Sequence, residues 1–413
     1  MYYIRVYVLE TRITIKSSFI YVYTFKYITI VEKMNRLIVG CSFGLTLLCL
    51  LNQVKGFTVP STLQDTSFVS PDVVASGISE TACSAAAERM NRILVPVSDE
   101  VSATETVGVS YVHWPASGKE KIGTPLVLVP GFDSSCLEYR RLGPKLAACG
   151  INVYAVDLLG WGYTQLDNVS SFSAQAKVEA LASFCRIVSE NSNGGQGICI
   201  GGASLGGAAA IEVSSAFPEL CKGTILIDAQ GFVDGVGPMA SLPAPLAKLG
   251  IQVLKSVPLR NSANKMSYND VETYATEDAL KVGRLHCLRD GWDDALLSFM
   301  LSGGFSPSAK VPQIMSPTLV LWGQQDGILE KDFAYKFIEN LPDGQLQFIE
   351  ECGHVPHLEQ PDETAKLISS FLTSDKFPAA KATIANNLPY PVGAAFFLPF
   401  LAQGLYNTLN GAQ

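Results

Sequence analysis

From about Thr104 the chain alternates short, unbroken apolar runs with longer stretches of helical period. The runs Pro125–Val129, Ile151–Val156, Gly197–Ile200, Thr224–Ile227, Thr318–Trp322 and Gln345–Ile349 have strand length. Between most of them lie helix-length segments such as Glu138–Ala148 and Ala174–Ser189. A strand that is apolar at successive positions, not at every second one, is covered on both faces. The pattern therefore predicts an α/β fold, a mainly parallel sheet flanked by helices. Val107–Trp114 alternates less cleanly and is expected as an antiparallel edge strand. No internal repeat is present.

Two stretches break this rhythm. Residues 231–313 carry Gly231, Pro238, Pro243, Pro245 and Pro258, then helix-like segments over Leu280–Leu288 and Trp292–Met300. An interruption this long exceeds an ordinary connection, so it is expected as a helical cap inserted after the sixth strand. The core is then expected over 104–230 and 314–374. Beyond it, 375–413 forms a tail with few charges and an apolar stretch, Val392–Leu405, broken by Pro399. That stretch is too short to span a bilayer and is expected to lie on a membrane or close over the body.

The N-terminal region reads as targeting sequence. Residues 1–33 show no clean period, and Met34 then opens a basic start at Arg36, an apolar run Leu37–Leu51 and the small-residue end Val54-Lys55-Gly56. This is a signal-peptide pattern, so Met34 is read as the true start and 1–56 as leader; the alternative is an uncleaved anchor. Phe57-Thr58-Val59-Pro60 then resembles the aromatic-led junction of plastid-targeting leaders in algae with secondary red plastids. The Ser/Thr/Ala-rich stretch 57–103 is accordingly expected as a transit-like linker. Its acids Asp65, Asp72, Glu80 and Glu88 are unusual for one. Plastid delivery is the expectation and secretion the alternative, in which case the sequon Asn168-Val169-Ser170 would matter.

Composition narrows the function classes. Hydrophobic residues make up 48% of the 413 and charged residues 16%, which excludes a disordered chain and supplies a sizeable core. With 30 basic against 38 acidic side chains the net charge is −8, so the electrostatic footprint of a nucleic-acid binder is absent. Seven of the ten cysteines fall in the body without a CxxC pair, and there are four histidines. A disulfide framework and a zinc site are both unsupported. No cofactor and no metal are expected.

The chemistry concentrates in three places. Gly202-Ala203-Ser204-Leu205-Gly206 follows an apolar strand and precedes the helical stretch Ala208–Phe217. A nucleophile on so sharp a turn needs small residues two before and two after it, since a side chain there collides with backbone. Asp326 ends the run Leu319–Asp326, and His354 lies just past Gln345–Ile349. A serine hydroxyl attacks only when a histidine takes its proton and a carboxylate orients that histidine. His357 is the competing base and Asp228 the competing acid. The oxyanion donors are expected from the amides of Leu205 and of Phe132, in the loop Pro130–Ser135. Asp157 is expected to bind backbone amides in the turn Asp157–Gly162.

Taken together, these residues resemble the α/β-hydrolase superfamily over 104–374, in the order Ser, Asp, His. More narrowly, Pro130–Glu138, Leu159–Gly162, Gly283–Leu288 and Ser298–Gly304 resemble plastid α/β hydrolases of plants and algae. The resemblance implies a serine esterase without a cofactor, acting on a lipophilic small-molecule ester through Ser204, Asp326 and His354. Alternatives are a non-catalytic ligand-binding protein of the same fold and a carbon–carbon bond hydrolase. Carbon–carbon hydrolases of the fold usually have Asn before the serine and Trp after the histidine, where this chain has Ala203 and Val355. Ser204 also stands where dehalogenases and epoxide hydrolases carry Asp. Trp161, Arg284 and His286 are candidate substrate contacts, with Arg289, Trp292 and Phe132 beside them.

Overall fold

The computed structural model describes residues 64–374 except 119–120, 238–240 and 242. The leader 1–56, the start of the linker and the tail lie outside the described residues. An eight-stranded sheet forms the centre, in the order β1-β2-β4-β3-β5-β6-β7-β8. The strands are β1 (Met90–Pro96), β2 (Thr106–Trp114), β3 (Ile122–Val129), β4 (Ile151–Val156), β5 (Ile198–Ala203), β6 (Cys221–Ile227), β7 (Thr318–Gly323) and β8 (Gly344–Ile349). β2 runs antiparallel to both β1 and β4, and all other pairs are parallel. Every residue of β5 and of β7 is buried, as strands covered on both faces must be.

Two expectations are corrected here. β2 is not an edge: β1 lies outside it, with Met90 opposite Val112 and Pro96 opposite Thr106. The sheet therefore starts fourteen residues before Thr104, and the segment expected as linker up to 103 contributes α1 (Thr81–Ala87) and β1 to the body. Two of its acids are structural. Asp65 pairs with Arg92 at 2.7 Å, and Glu80 takes Arg140 at 2.8 Å and Arg141 at 2.7 Å.

The helices that flank the sheet are α2 (Leu142–Ala148), α3 (Ala174–Asn193), α4 (Leu205–Ala216), α10 (Asp332–Asn340), α11 (Pro356–Glu359) and α12 (Pro361–Leu372). α3 is held at its start by the Ser173 side chain, which accepts from the Ala176 amide, and stopped by Gly194 at φ 68°. Between β6 and β7 the chain inserts α5 (Ala244–Lys255), α6 (Val257–Ser267), α7 (Val271–Tyr274), α8 (Glu277–Leu285) and α9 (Trp292–Leu301). The eight cysteines among the described residues are unpaired, and all but Cys149 are buried.

Candidate active site

Parallel strands in one sheet deliver their C-terminal loops to a common edge, and the chemistry-bearing residues lie on those loops. Ser204 follows β5, Asp228 follows β6, Asp326 follows β7 and His354 follows β8, while Phe132 follows β3, the neighbour of β5. Ser204 has φ 50° and ψ −122°, a strained position for a residue with a side chain. Its backbone is pinned: its amide donates to Ile227 O at 3.0 Å, and its carbonyl accepts from Gly207 and Gln230, each at 2.9 Å. It stands at the N-cap of α4, yet its hydroxyl makes no capping bond to the helix. A Cβ on Gly202 would lie 2.1 Å from the Gly206 carbonyl oxygen, and one on Gly206 would lie 2.2 Å from the Val129 carbonyl oxygen. Both glycines are therefore steric requirements of the turn.

His354 is buried and its Nδ1 meets Asp326 Oδ2 at 2.8 Å. Burial would raise the Asp326 carboxyl. The hydrogen bond and charge of His354, with the amides of Ile328 and Leu329, outweigh it and hold the group below its ordinary value. The two loops are laced together, since Gln325 N donates to Cys352 O at 2.9 Å and Cys352 N to Gln325 Oε1 at 3.0 Å. Asp228 sits beside them, with one atom each of Asp228, Asp326 and His354 within 4.8 Å of the others. Its Oδ1 accepts from Gly323 N at 2.9 Å, and its buried Oδ2 has no hydrogen-bond partner. Burial, then the neighbouring Asp326 charge, raises its carboxyl well above the usual range. The competing acid thus lies within reach of the histidine cluster without holding its ring. The competing base, His357, is fully buried and its Nε2 meets Glu138 Oε1 at 2.8 Å.

A model of the Alpha/beta hydrolase family matches residues 126–367, more than half of the chain. The chain belongs to that family. This alpha/beta hydrolase is 33% identical over 248 residues to the alpha/beta hydrolase domain-containing protein VTE7 of Arabidopsis thaliana, covering 60% of this chain and 74% of that one. It is 26% identical to Lipase 1 of Psychrobacter immobilis over 257 residues, 60% of this chain and 77% of the lipase. Among solved structures it resembles the 2-hydroxy-6-oxo-6-phenylhexa-2,4-dienoate hydrolase of Rhodococcus, with TM-score 0.53 and 18% identity over 69% of this chain and 100% of that one. At that identity the likeness is one of fold.

The loop after β3, Pro130–Ser135, is gripped from two sides. A Cβ on Gly131 would lie 3.5 Å from Ser204 Cβ, so the loop backbone rests against Ser204. From the core, Glu138 Oε2 accepts from Gly131 N at 3.1 Å while Oε1 takes His357. Tyr139 joins β3 to β5 by donating to Val129 O at 2.7 Å and accepting from Ala203 N at 3.1 Å. From the inserted helices, Asp133 is clasped by Arg260 Nη2, by His286 Nε2 at 3.0 Å and by Trp292 Nε1 at 2.8 Å. Burial would raise the Asp133 carboxyl, but the charges of His286 and Arg260 and the Trp292 donor hold it far down. Burial opposes the His286 imidazolium, and Cys287 and Asp133 reverse this and raise it to about 10.

The expected substrate contacts have partners within the protein. His286 is 1% exposed and serves Asp133; Arg284 Nε donates to Lys255 O at 3.3 Å; Arg289 holds Gly162 O at 2.8 Å and Thr164 O at 2.9 Å. Trp161 is fully buried between Phe132 and Phe299, at ring distances of 5.5 and 5.1 Å, with the Lys177 ammonium 4.0 Å from its ring. Burial pulls the Lys177 pKa well below the usual lysine value. Asp157 takes the amides of Cys136 and Tyr163 and the Ser110 hydroxyl. Sequence reasoning assigned no role to Arg260 or Glu359. Glu359 accepts from Gly353 at 2.7 Å, Asp270 at 2.7 Å and Asn269 at 3.1 Å, tying the histidine loop to the inserted helices. A cleft of about 660 Å³ beside Arg141, Tyr274 and Asp362 contains none of Ser204, Asp326 or His354, so concavity alone does not mark the site.

Proposed function

We propose that this alpha/beta hydrolase is a serine hydrolase that cleaves a carboxylic ester of a lipophilic small molecule. The observation that carries the reading is the strained Ser204 turn, whose hydroxyl is not spent on its own helix, on the same sheet edge as a buried His354 bonded to Asp326 at 2.8 Å. Ser204 Oγ attacks the ester carbonyl as His354 takes its proton, and the oxygen of the tetrahedral intermediate meets the amides of Phe132 and Leu205. Collapse expels the alcohol, protonated by His354, and leaves an acyl-serine. Water, activated by the same histidine, releases the acid and restores the hydroxyl. Asp326 keeps the Nδ1 proton in place and stabilises the imidazolium.

The apolar character of the substrate is inferred from the lipase relative and from Phe132, half-buried on the loop beside Ser204. Ala203 and Val355 argue for an ester over a carbon–carbon bond. The plant relative and the leader pattern support delivery to a plastid. The deciding experiment is labelling with a fluorophosphonate, which bonds only to an activated serine. Labelling of the protein and its loss in Ser204→Ala supports the reading. A folded protein that does not label is a binding protein without turnover, and the proposal fails.

A further inference from the structure

Helix α5 is apolar on two opposite sides. Ala247 and Ile251 are fully buried against the body, whereas Leu246, Leu249 and Val253 are 54%, 64% and 54% exposed. At 3.6 residues per turn those three fall within a sector of about 60°, turned away from the buried pair. A surface helix ordinarily carries polar residues there. Helix α6 has no buried residue: Leu259 and Met266, 41% and 55% exposed, share one side of it, and Val257, 46% exposed, lies on the other. Six large apolar side chains on two consecutive helices exceed the scattered surface hydrophobics of a monomer and mark a surface that something contacts.

Charge identifies what. From Gly235 to Asn269 the chain has no Asp or Glu but carries Lys248, Lys255, Arg260 and Lys265, in a protein of net charge −8. Arg260 is committed to Asp133. Lys248 and Lys265 are exposed; Lys248 lies 2.9 Å from Asp294 and 3.9 Å from Asp293 of α9, pairs partly in water, where ion pairs hold little. Apolar side chains bordered by lysines are the pattern of a helix that lies in a membrane interface and prefers anionic headgroups. A symmetric contact with a second copy would bring these like charges together. None of the described helices is long and apolar enough to cross a membrane, so the fitting mode is lying on the surface.

We propose that α5 and α6 dock on an anionic lipid surface. Leu246, Leu249 and Val253 enter the boundary between headgroups and acyl chains, and Lys248 and Lys265 meet the headgroups. The Ser267 carbonyl at the end of α6 accepts the His354 amide at 2.8 Å, so the docked face adjoins the histidine loop. A lipophilic molecule dissolved in that bilayer would reach the site without crossing water. The docking itself does not depend on the hydrolytic reading.

The test is sedimentation of the full-length protein with vesicles of phosphatidylcholine alone and of phosphatidylcholine mixed with phosphatidylglycerol. Binding is expected on the mixed vesicles and is expected to weaken with salt. Leu249→Ser with Val253→Ser should lower partitioning at least about tenfold, since two apolar side chains leave the interface. Both positions are more than half exposed, so the melting temperature should not move. Lys248→Gln with Lys265→Gln should weaken binding to the mixed vesicles only. No binding by the parent protein overturns the proposal. So does binding untouched by either pair, which places the contact in another segment such as 392–405. Loss of self-association in Leu249→Ser with Val253→Ser, without any vesicle binding, assigns the face to a second copy and also overturns it.

Discussion

Asp133→Asn is the perturbation that most directly tests whether the inserted helices set the oxyanion geometry. The substitution keeps the shape of the side chain and removes one buried charge. Asp133 is 1% exposed and bonded to Arg260, His286 and Trp292, so the variant leaves the guanidinium without its counter-charge. Removing one partner of a buried pair costs about 3–5 kcal/mol. The lower end applies here, because Arg260 keeps carbonyl partners at Leu254, Asp133 and Gly283, and His286 can shed its raised proton. A loss of about 3 kcal/mol corresponds to a fall of roughly 5–10 °C in melting temperature for a body of this size. The catalytic effect has a different origin. Asp133 sits at φ 47°, one residue after the Phe132 amide, and fixes that strained corner. Loss of an oxyanion donor costs about 10²–10³ in kcat, so partial displacement should cost about tenfold to a hundredfold, with KM little changed because the donor acts in the transition state. The assay is hydrolysis of a p-nitrophenyl ester of short chain at 25 °C, read as kcat and KM separately beside a thermal melt. A variant that melts early but keeps full kcat would show that the loop holds its shape without Asp133. A rise in KM alone would place Asp133 in substrate entry.

Three further outcomes follow from the site. His354→Ala should remove most turnover of the same ester while His357→Ala, which strips Glu138 of its partner, should chiefly lower the melting temperature; the reverse pattern moves the base three residues along. Asp326→Asn should lose activity and Asp228→Asn should keep it, since Asp326 holds the His354 ring and Asp228 serves Gly323 N. The Asp228→Asn variant has a signed pH dependence in denaturant melts. The folded carboxyl keeps its proton above the pKa of about 4 at which the unfolded chain releases it, so the parent loses stability as pH rises from there, and the advantage of the Asn variant should grow over the same range. An advantage that shrinks with rising pH would mean that Asp228 is ionised in the fold.

How much the sequence disclosed depends on how local the deciding interaction is. β4 was legible to the residue, Ile151–Val156, because six residues within one apolar run carry the whole signal. The Ser204 turn was legible for the same reason: the clash that requires Gly202 is with Gly206, four residues away, and both appear in one short motif. β1 was missed because Met90–Pro96 alternates buried and half-buried positions, and what makes it a strand is a partner, Val112 to Thr106, beyond an intervening turn. The Ser/Thr/Ala-rich composition around it pointed to a leader and concealed the strand.

The partners of the inserted helices were illegible in the sequence for the same reason. His286 and Arg284 look like substrate contacts because polar residues in an apolar insertion invite that reading, and nothing nearby in sequence explains them. Their partners are remote: His286 reaches Asp133 across 153 residues, Arg260 reaches it across 127 and Trp292 across 159. Each is an ordinary side chain until the insertion folds back on the loop at Asp133, whereupon Arg260, His286 and Trp292 converge on one buried carboxylate, while the buried Nδ1 of His286 has no protein partner. The signal that could have found them is Asp133 itself. An acid directly after Pro-Gly-Phe, in a loop that must lie against the nucleophile, cannot remain solvated, and burial of its charge demands donors from elsewhere in the chain. The insertion holds the basic and indole donors that answer the demand, which ties these helices to the loop that follows β3.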